Sequence, residues 1–120
     1  MSNPQTTVFK SDEHENRFKG VMQQTGKIYN GRYDAEYAAA LYILTADPST
    51  WNKAQEYVSH SGIDFSGMLE DIDFSGGYSV LILLAGNLFN GQQHLDPLEF
   101  LRLDDVNFEL AIAAIKLRRG

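Results

Sequence analysis

The sequence predicts an all-α fold, a single compact domain of about six helices around a central apolar helix at residues 75–91. Three observations carry that expectation. The stretch Ser75–Gly91, SGGYSVLILLAGNLFNG, is apolar almost all the way round, so a helix there must be covered from several sides. Short acceptor side chains stand just before apolar runs at Asp34, Asp47, Asp64, Asp96 and Asp104, where a carboxylate can take hydrogen bonds from first-turn amides. Between these points apolar residues recur every three or four positions, the period of a helix rather than of a strand.

Taken in order, residues 1–8 are polar and expected to be loose. Ser11 or Asp12 then caps a first helix to about Thr25. Asp12, Glu13 and Glu15 sit at its positive end, Phe18, Val21 and Met22 form a narrow apolar stripe, and Gly26 lies just beyond. In KIYNGRY the Asn30-Gly31 pair signals a tight turn, but its arms are too short for an independent hairpin; we read a loop there, with a small hairpin as the alternative. Asp34 opens a second helix to about Ala46, whose alanines favour helix and allow close approach, with Tyr37, Leu41 and Leu44 on one face. Asp47-Pro48 stops that helix and starts a third, in which Trp51, Ala54, Tyr57 and Val58 recur at helical spacing until Gly62.

A near-repeat of nine residues follows, Ile63-Asp64-Phe65-Ser66-Gly67 and Ile72-Asp73-Phe74-Ser75-Gly76. Each copy reads as a helix start. The first opens a short helix through Met68, Leu69 and Ile72, and the second leads into the central helix, where Ser75 can cap and Gly91 can close in the left-handed conformation. Leu95-Asp96-Pro97-Leu98-Glu99-Phe100 starts another short helix, with Asp96 as cap and Pro97 at the first helical position. Asp104 starts the last, to about Arg118, with Lys116, Arg118 and Arg119 near the negative end of its dipole. The helices at 34–46 and 105–118 are expected to pack against the central one.

A chain of 120 residues can remove about two-thirds of its unfolded surface from water, enough for a core without staples. With no cysteine, thiolate catalysis and cysteine-ligated metals are excluded. The first ten residues show neither a basic start nor an apolar core of a secretory signal, and Val80–Gly86 is far shorter than a membrane span; the expected setting is cytoplasmic, with no membrane partner. The net charge of −6 is unevenly placed: residues 54–115 hold ten acids against one base, Arg102. Such a surface repels phosphates and argues against direct nucleic-acid binding; its complement is a basic surface, although acids also serve simply to solvate exposed faces.

Motifs for chemistry are weak. Asp71-x-Asp73-x-Ser75-Gly76 copies the opening of a calcium loop, but its twelfth position is Ile82 where a bidentate glutamate is required, so these acids are read as helix-start residues. His14, His60 and His94 fall in three separate segments: His14 is expected in a solvated first turn, His60 has no nucleophile context, and His94 belongs to a loop. Gly76-Gly77 lacks the lysine and spacing of a phosphate loop. No cofactor, metal or catalytic residue is assigned. Tyrosine and tryptophan outside the main stripes, Trp51 and Tyr57 above all, suit protein contacts.

Four stretches, FKSDEHENRF, YAAALYILTA, GIDFSGMLEDIDFSGG and LDDVNFELAIAAIKLR, together resemble a family of small all-helical proteins of unknown function from Firmicutes and their phages and mobile elements. The resemblance covers most of the chain and carries no catalytic residues. It implies a bacterial cytoplasmic setting and the small acidic proteins by which mobile elements disable host machinery. The leading expectation is a non-enzymatic protein-binding module, an inhibitor of a nucleic-acid-handling or defence protein. Its charge would come from Glu70, Asp71, Asp73, Asp104, Asp105 and Glu109, and its anchors from Trp51 and Tyr57. The alternatives are a structural homo-oligomer and, further off, a small enzyme or calcium binder.

Overall fold

The computed structural model describes residues 7–120; the expectation of a loose start falls, for residues 1–6, outside them. Six α-helices are present among the described residues: α1 (Asp12–Gln24), α2 (Ala35–Leu44), α3 (Pro48–Ala54), α4 (Phe65–Asp71), α5 (Gly76–Asn90) and α6 (Asp105–Arg119). Among the same residues lie two 3₁₀ turns, Gln55–Tyr57 and Pro97–Arg102, and two antiparallel hairpins. The all-α expectation holds, and α2 and α6 both pack against α5 as anticipated for residues 34–46, 105–118 and 75–91; α2 and α6 also pack directly on each other, which was not anticipated.

Most of the predicted helix starts are visible as hydrogen bonds. The carboxylates of Asp34, Asp47, Asp64, Asp96 and Asp104 accept from Tyr37, Thr50, Gly67, Leu98 and Asn107 amides, and Ser11 accepts from the His14 amide. Each satisfies one donor that the first turn leaves unpaired. Ser75 departs from this pattern. It occupies the cap position of α5 but its side chain makes no capping bond, and Ser79 Oγ donates instead to the Gly76 carbonyl. At the other end Gly91 closes the helix at φ 76°, in the left-handed region that a residue without Cβ reaches freely.

The core is shared between α5 and α2. Seven of the fifteen residues of α5 are buried, whereas α2 is sealed from Tyr37 to Leu44 without interruption, eight of its ten residues. A helix apolar on every side lowers its free energy only when every side is covered. Helix α1 covers it with Phe18, Val21 and Met22, and α5 and α6 cover the remainder.

Two hairpins stand at the edges of this core, and both differ from the sequence reading. At KIYNGRY a ladder forms, Ile28 opposite Tyr33 and Tyr29 opposite Arg32, because Asn30 (φ 52°) and Gly31 (φ 78°) adopt the left-handed pair that a two-residue turn requires. The second hairpin replaces the end of the expected third helix. Helix α3 stops at Ala54, and Val58–Ser59 pairs with Gly62–Ile63. The reason is local: Ser59 Oγ takes the Ser61 amide and reaches the Gly62 carbonyl, offering the backbone partners other than a helix ladder. Both hairpins end alike, with the Asp34 amide on the Lys27 carbonyl and the Asp64 amide on the Tyr57 carbonyl, each 2.9 Å, before the same aspartate caps the next helix. Residues 28–34 and 58–64 are thus structural equivalents, whereas the second copy of the nine-residue sequence repeat is an extended link between α4 and α5.

His14 overturns another expectation. It is fully buried rather than solvated. Its Nδ1 accepts the Lys10 amide at 3.0 Å, so in the neutral ring Nε2 holds the proton and donates to the Tyr42 carbonyl at 2.8 Å. Arg17, one turn on, donates to the Thr45 carbonyl at 2.6 Å. Two side chains of α1 thereby close the carbonyl end of α2.

Burial holds the His14 pKa below its ordinary 6.5, and the nearby Arg17 and Lys10 charges add to this against the opposing Tyr42 carbonyl bond. The unfolded chain therefore takes a proton at a pH where the fold still refuses one, so this stabilisation is complete above about pH 6.5 and is lost as pH falls through the folded pKa. The thermal midpoint of the wild type is expected to fall as pH drops below about 6.5, with a flatter profile for His14→Gln; parallel profiles would refute the assignment. At Gly86 a Cβ would come within 3.1 Å of the buried Phe65 ring and 2.7 Å of Gln93 Cγ. Gln93 can swing away but Phe65, packed on Phe89, cannot. Gly86→Ala is accordingly expected to lower stability by about 1–2 kcal/mol in denaturant titration, instead of raising it by the ordinary helix preference of about 1 kcal/mol.

Candidate functional site

The acids expected to form a binding face divide into two groups. Glu70 and Asp71 end α4, and Asp73 lies in the extended link to α5. Asp104 caps α6, and Asp105 and Glu109 occupy its first half. All six are exposed. The groups flank one junction, because the first turn of α5 abuts the first turn of α6: a Cβ on Gly77 would stand 3.2 Å from Asn107 Nδ2 and 3.7 Å from Leu103 Cδ2.

Helix α6 presents the larger feature. It turns Leu110, Ala111 and Ala114 inward and leaves Asp105, Val106, Phe108, Glu109, Ile115, Lys116 and Arg119 exposed. On one side of it runs an open, mainly apolar groove of about 670 Å³. Its walls are Val8 and Phe9 of the N-terminal segment, Tyr42 of α2, and Val106, Ala113 and Leu117 of α6; Lys10, Asp105, Glu109 and Lys116 carry its charges. The Tyr42 hydroxyl donates to the Val8 carbonyl, which pins that wall in place. Burial raises the Tyr42 pKa to about 12, with the Glu109 charge adding to the effect, so the phenol stays a donor at neutral pH.

The two expected anchors are placed apart from this groove. Tyr57 donates to the Asp71 carboxylate at 2.7 Å, a bond that raises its pKa to about 12. The structure so joins two residues of the expected face, and commits the phenol internally. Trp51 is half-buried and lines a separate cavity of about 250 Å³ with Val21, Thr25, Val58 and His60.

The histidines serve the frame. His14 is sealed, His60 Nδ1 lies 2.8 Å from the Thr25 carbonyl and ties the second hairpin to the end of α1, and His94 is exposed in the loop after α5. Among the described residues no three His, Asp or Glu side chains converge on a point where a metal ion could sit, and Asp71 and Asp73 are separated by the end of a helix rather than wrapped in a loop. No helix is long and apolar enough to cross a membrane.

Sequence reasoning missed the groove and the buried histidine. A signal for His14 existed: it precedes Phe18 by four positions and so shares a face with Phe18, Val21 and Met22. Nothing comparable marks the groove, whose walls come from three segments distant in the chain.

Comparison with curated proteins and with solved structures finds no match. Over residues 4–118 the chain matches the profile of a family of unknown function, DUF6075, and it belongs to that family.

Proposed function

We propose that this protein is a non-enzymatic protein-binding module that offers carboxylates to a basic surface of another protein. One observation carries the reading. The two ion pairs within the described residues, Lys19–Glu15 and Arg102–Glu99, use none of Glu70, Asp71, Asp73, Asp104, Asp105 or Glu109, so among the described residues these six exposed carboxylates stand outside any ion pair. Exposed carboxylates steer encounter with a cationic partner and fix its orientation more than they raise affinity. Apolar contact area stands beside them, since Val106 and Phe108 are 53% and 40% exposed on the same turns of α6.

The non-enzymatic reading draws on the histidines, two of which are engaged with backbone carbonyls, His14 in a fully buried position. The excess negative charge disfavours direct binding to nucleic acid. A basic, nucleic-acid-handling or defence protein of a bacterial host is the partner that this chemistry fits, with the chain acting as its inhibitor in the cytoplasm. A phage or mobile-element origin belongs to the same proposal.

The test uses a fluorescent amphipathic peptide rich in lysine and leucine and, separately, a labelled DNA duplex. The peptide is expected to bind, to weaken as salt rises, and to lose at least tenfold in affinity to a chain carrying Glu70→Lys, Asp71→Lys and Asp73→Lys, about 1.4 kcal/mol or more. The duplex is expected not to bind. Peptide affinity indifferent to both salt and charge reversal, or tighter binding to the duplex, would overturn the proposal.

A further inference from the structure

The outer row of α6 is a charge palindrome. At 3.6 residues per turn Asp105, Glu109, Ile112, Lys116 and Arg119 fall along one line of the helix, opposite the buried Leu110, Ala111 and Ala114. The row is negative at its start, apolar at its centre and positive at its end. Phe108 and Ile115, 40% and 36% exposed, flank that centre. Three cations end the helix, but Arg118 turns inward and donates to the Leu88 carbonyl at 2.7 Å, closing the end of α5. Lys116 and Arg119 are the two left outside.

We propose that a second copy of this chain docks on α6, helix against helix, antiparallel and two-fold symmetric with Ile112 at the axis. A two-fold interface joins the same patch on both subunits, so that patch must complement itself. This one does so in a single direction. Run antiparallel about Ile112, the row sets Asp105 opposite the partner's Arg119. Glu109 then meets the partner's Lys116 with a stagger of one residue, about 1.5 Å along the axis. Ile112 meets its own copy, and Phe108 comes beside the partner's Ile115. A parallel arrangement would oppose acid to acid and base to base, which is costly. The apolar centre supplies the contact, and the flanking charges select direction and register, as charged edge positions do in paired helices.

This inference goes beyond the binding of a basic partner and does not rest on it. The dimer covers Asp105, Glu109 and Phe108, so that a different protein then meets Glu70 and Asp71 at the end of α4 and Asp73 in the link that follows.

Light scattering on the full chain across a concentration series tests it. The mass is expected to rise from 13.5 kDa toward twice that value. Ile112→Asp, which sets two carboxylates together at the axis, is expected to hold the chain at its single mass while circular dichroism shows unchanged helix. A chain with Asp105→Lys and Glu109→Lys, and another with Lys116→Glu and Arg119→Glu, are each expected to self-associate at least tenfold more weakly; an equal mixture of the two regains the doubled mass, because only opposed copies restore the pairs. A wild type that keeps its single mass up to about 1 mM, a dimer untouched by Ile112→Asp, or a mixture that does not regain the doubled mass would each overturn the proposal. The chain carrying Glu70→Lys, Asp71→Lys and Asp73→Lys, which loses peptide binding under the partner-binding reading, is expected to keep the doubled mass, so failure here is distinguishable from failure of that reading.

Discussion

The structure depends on one constraint, that α2 has no polar side. Eight consecutive residues, Tyr37 to Leu44, are buried, so each neighbour of this helix must supply apolar cover and none can be omitted without exposing it to water. Covering the sides also dries the ends, and the carbonyls of the last turn then need donors that solvent cannot provide. His14 and Arg17 meet that need at Tyr42 and Thr45. At the other end Tyr37 does a similar service outward: its hydroxyl donates to the Ser59 carbonyl at 2.8 Å while its ring meets Phe89 edge-on and Lys27 over its face. The same helix thus ties α1, both hairpins and α5 to one another.

The hairpins follow from this arrangement. Each turns the chain back and delivers an aspartate to the start of a helix, which sets where α2 and α4 begin relative to the layer beneath them. Their ladders are two residues long and would not stand alone in water. They persist because each is held at one edge of the core, the second by Tyr37 and by His60 on the Thr25 carbonyl.

The proposals rest on the outer surface of α6 and the acidic turn at the end of α4. Helix α6 covers α2 and α5 with its inner face, which leaves its outer row free to carry opposite charges at its two ends. The acids at the α4 end arise differently. Asp71 receives the Tyr57 hydroxyl, but Glu70 and Asp73 lie on turns with no basic residue of their own segment, a consequence of the ten acids crowded into residues 54–115.

Helix boundaries were legible in the sequence because their determinants are local. A carboxylate before a first turn, a proline at its start and a glycine beyond its end act within four residues, and Asp34, Asp47, Pro48, Asp64, Asp104 and Gly91 all do in space what their positions implied. Charge excess was legible for the same reason, being a sum. The second hairpin was not, because Trp51, Ala54, Tyr57 and Val58 repeat at helical spacing while serine side chains break the ladder. His14 was hidden by its acidic neighbours, since its burial depends on Tyr42, 28 residues away. The sequence by itself therefore determined which segments become helices, where most of them begin and what charge they show. Only tertiary structure decided which helix is enclosed, which histidine is sealed and which row of α6 faces out, because burial is a property of contacts between distant segments.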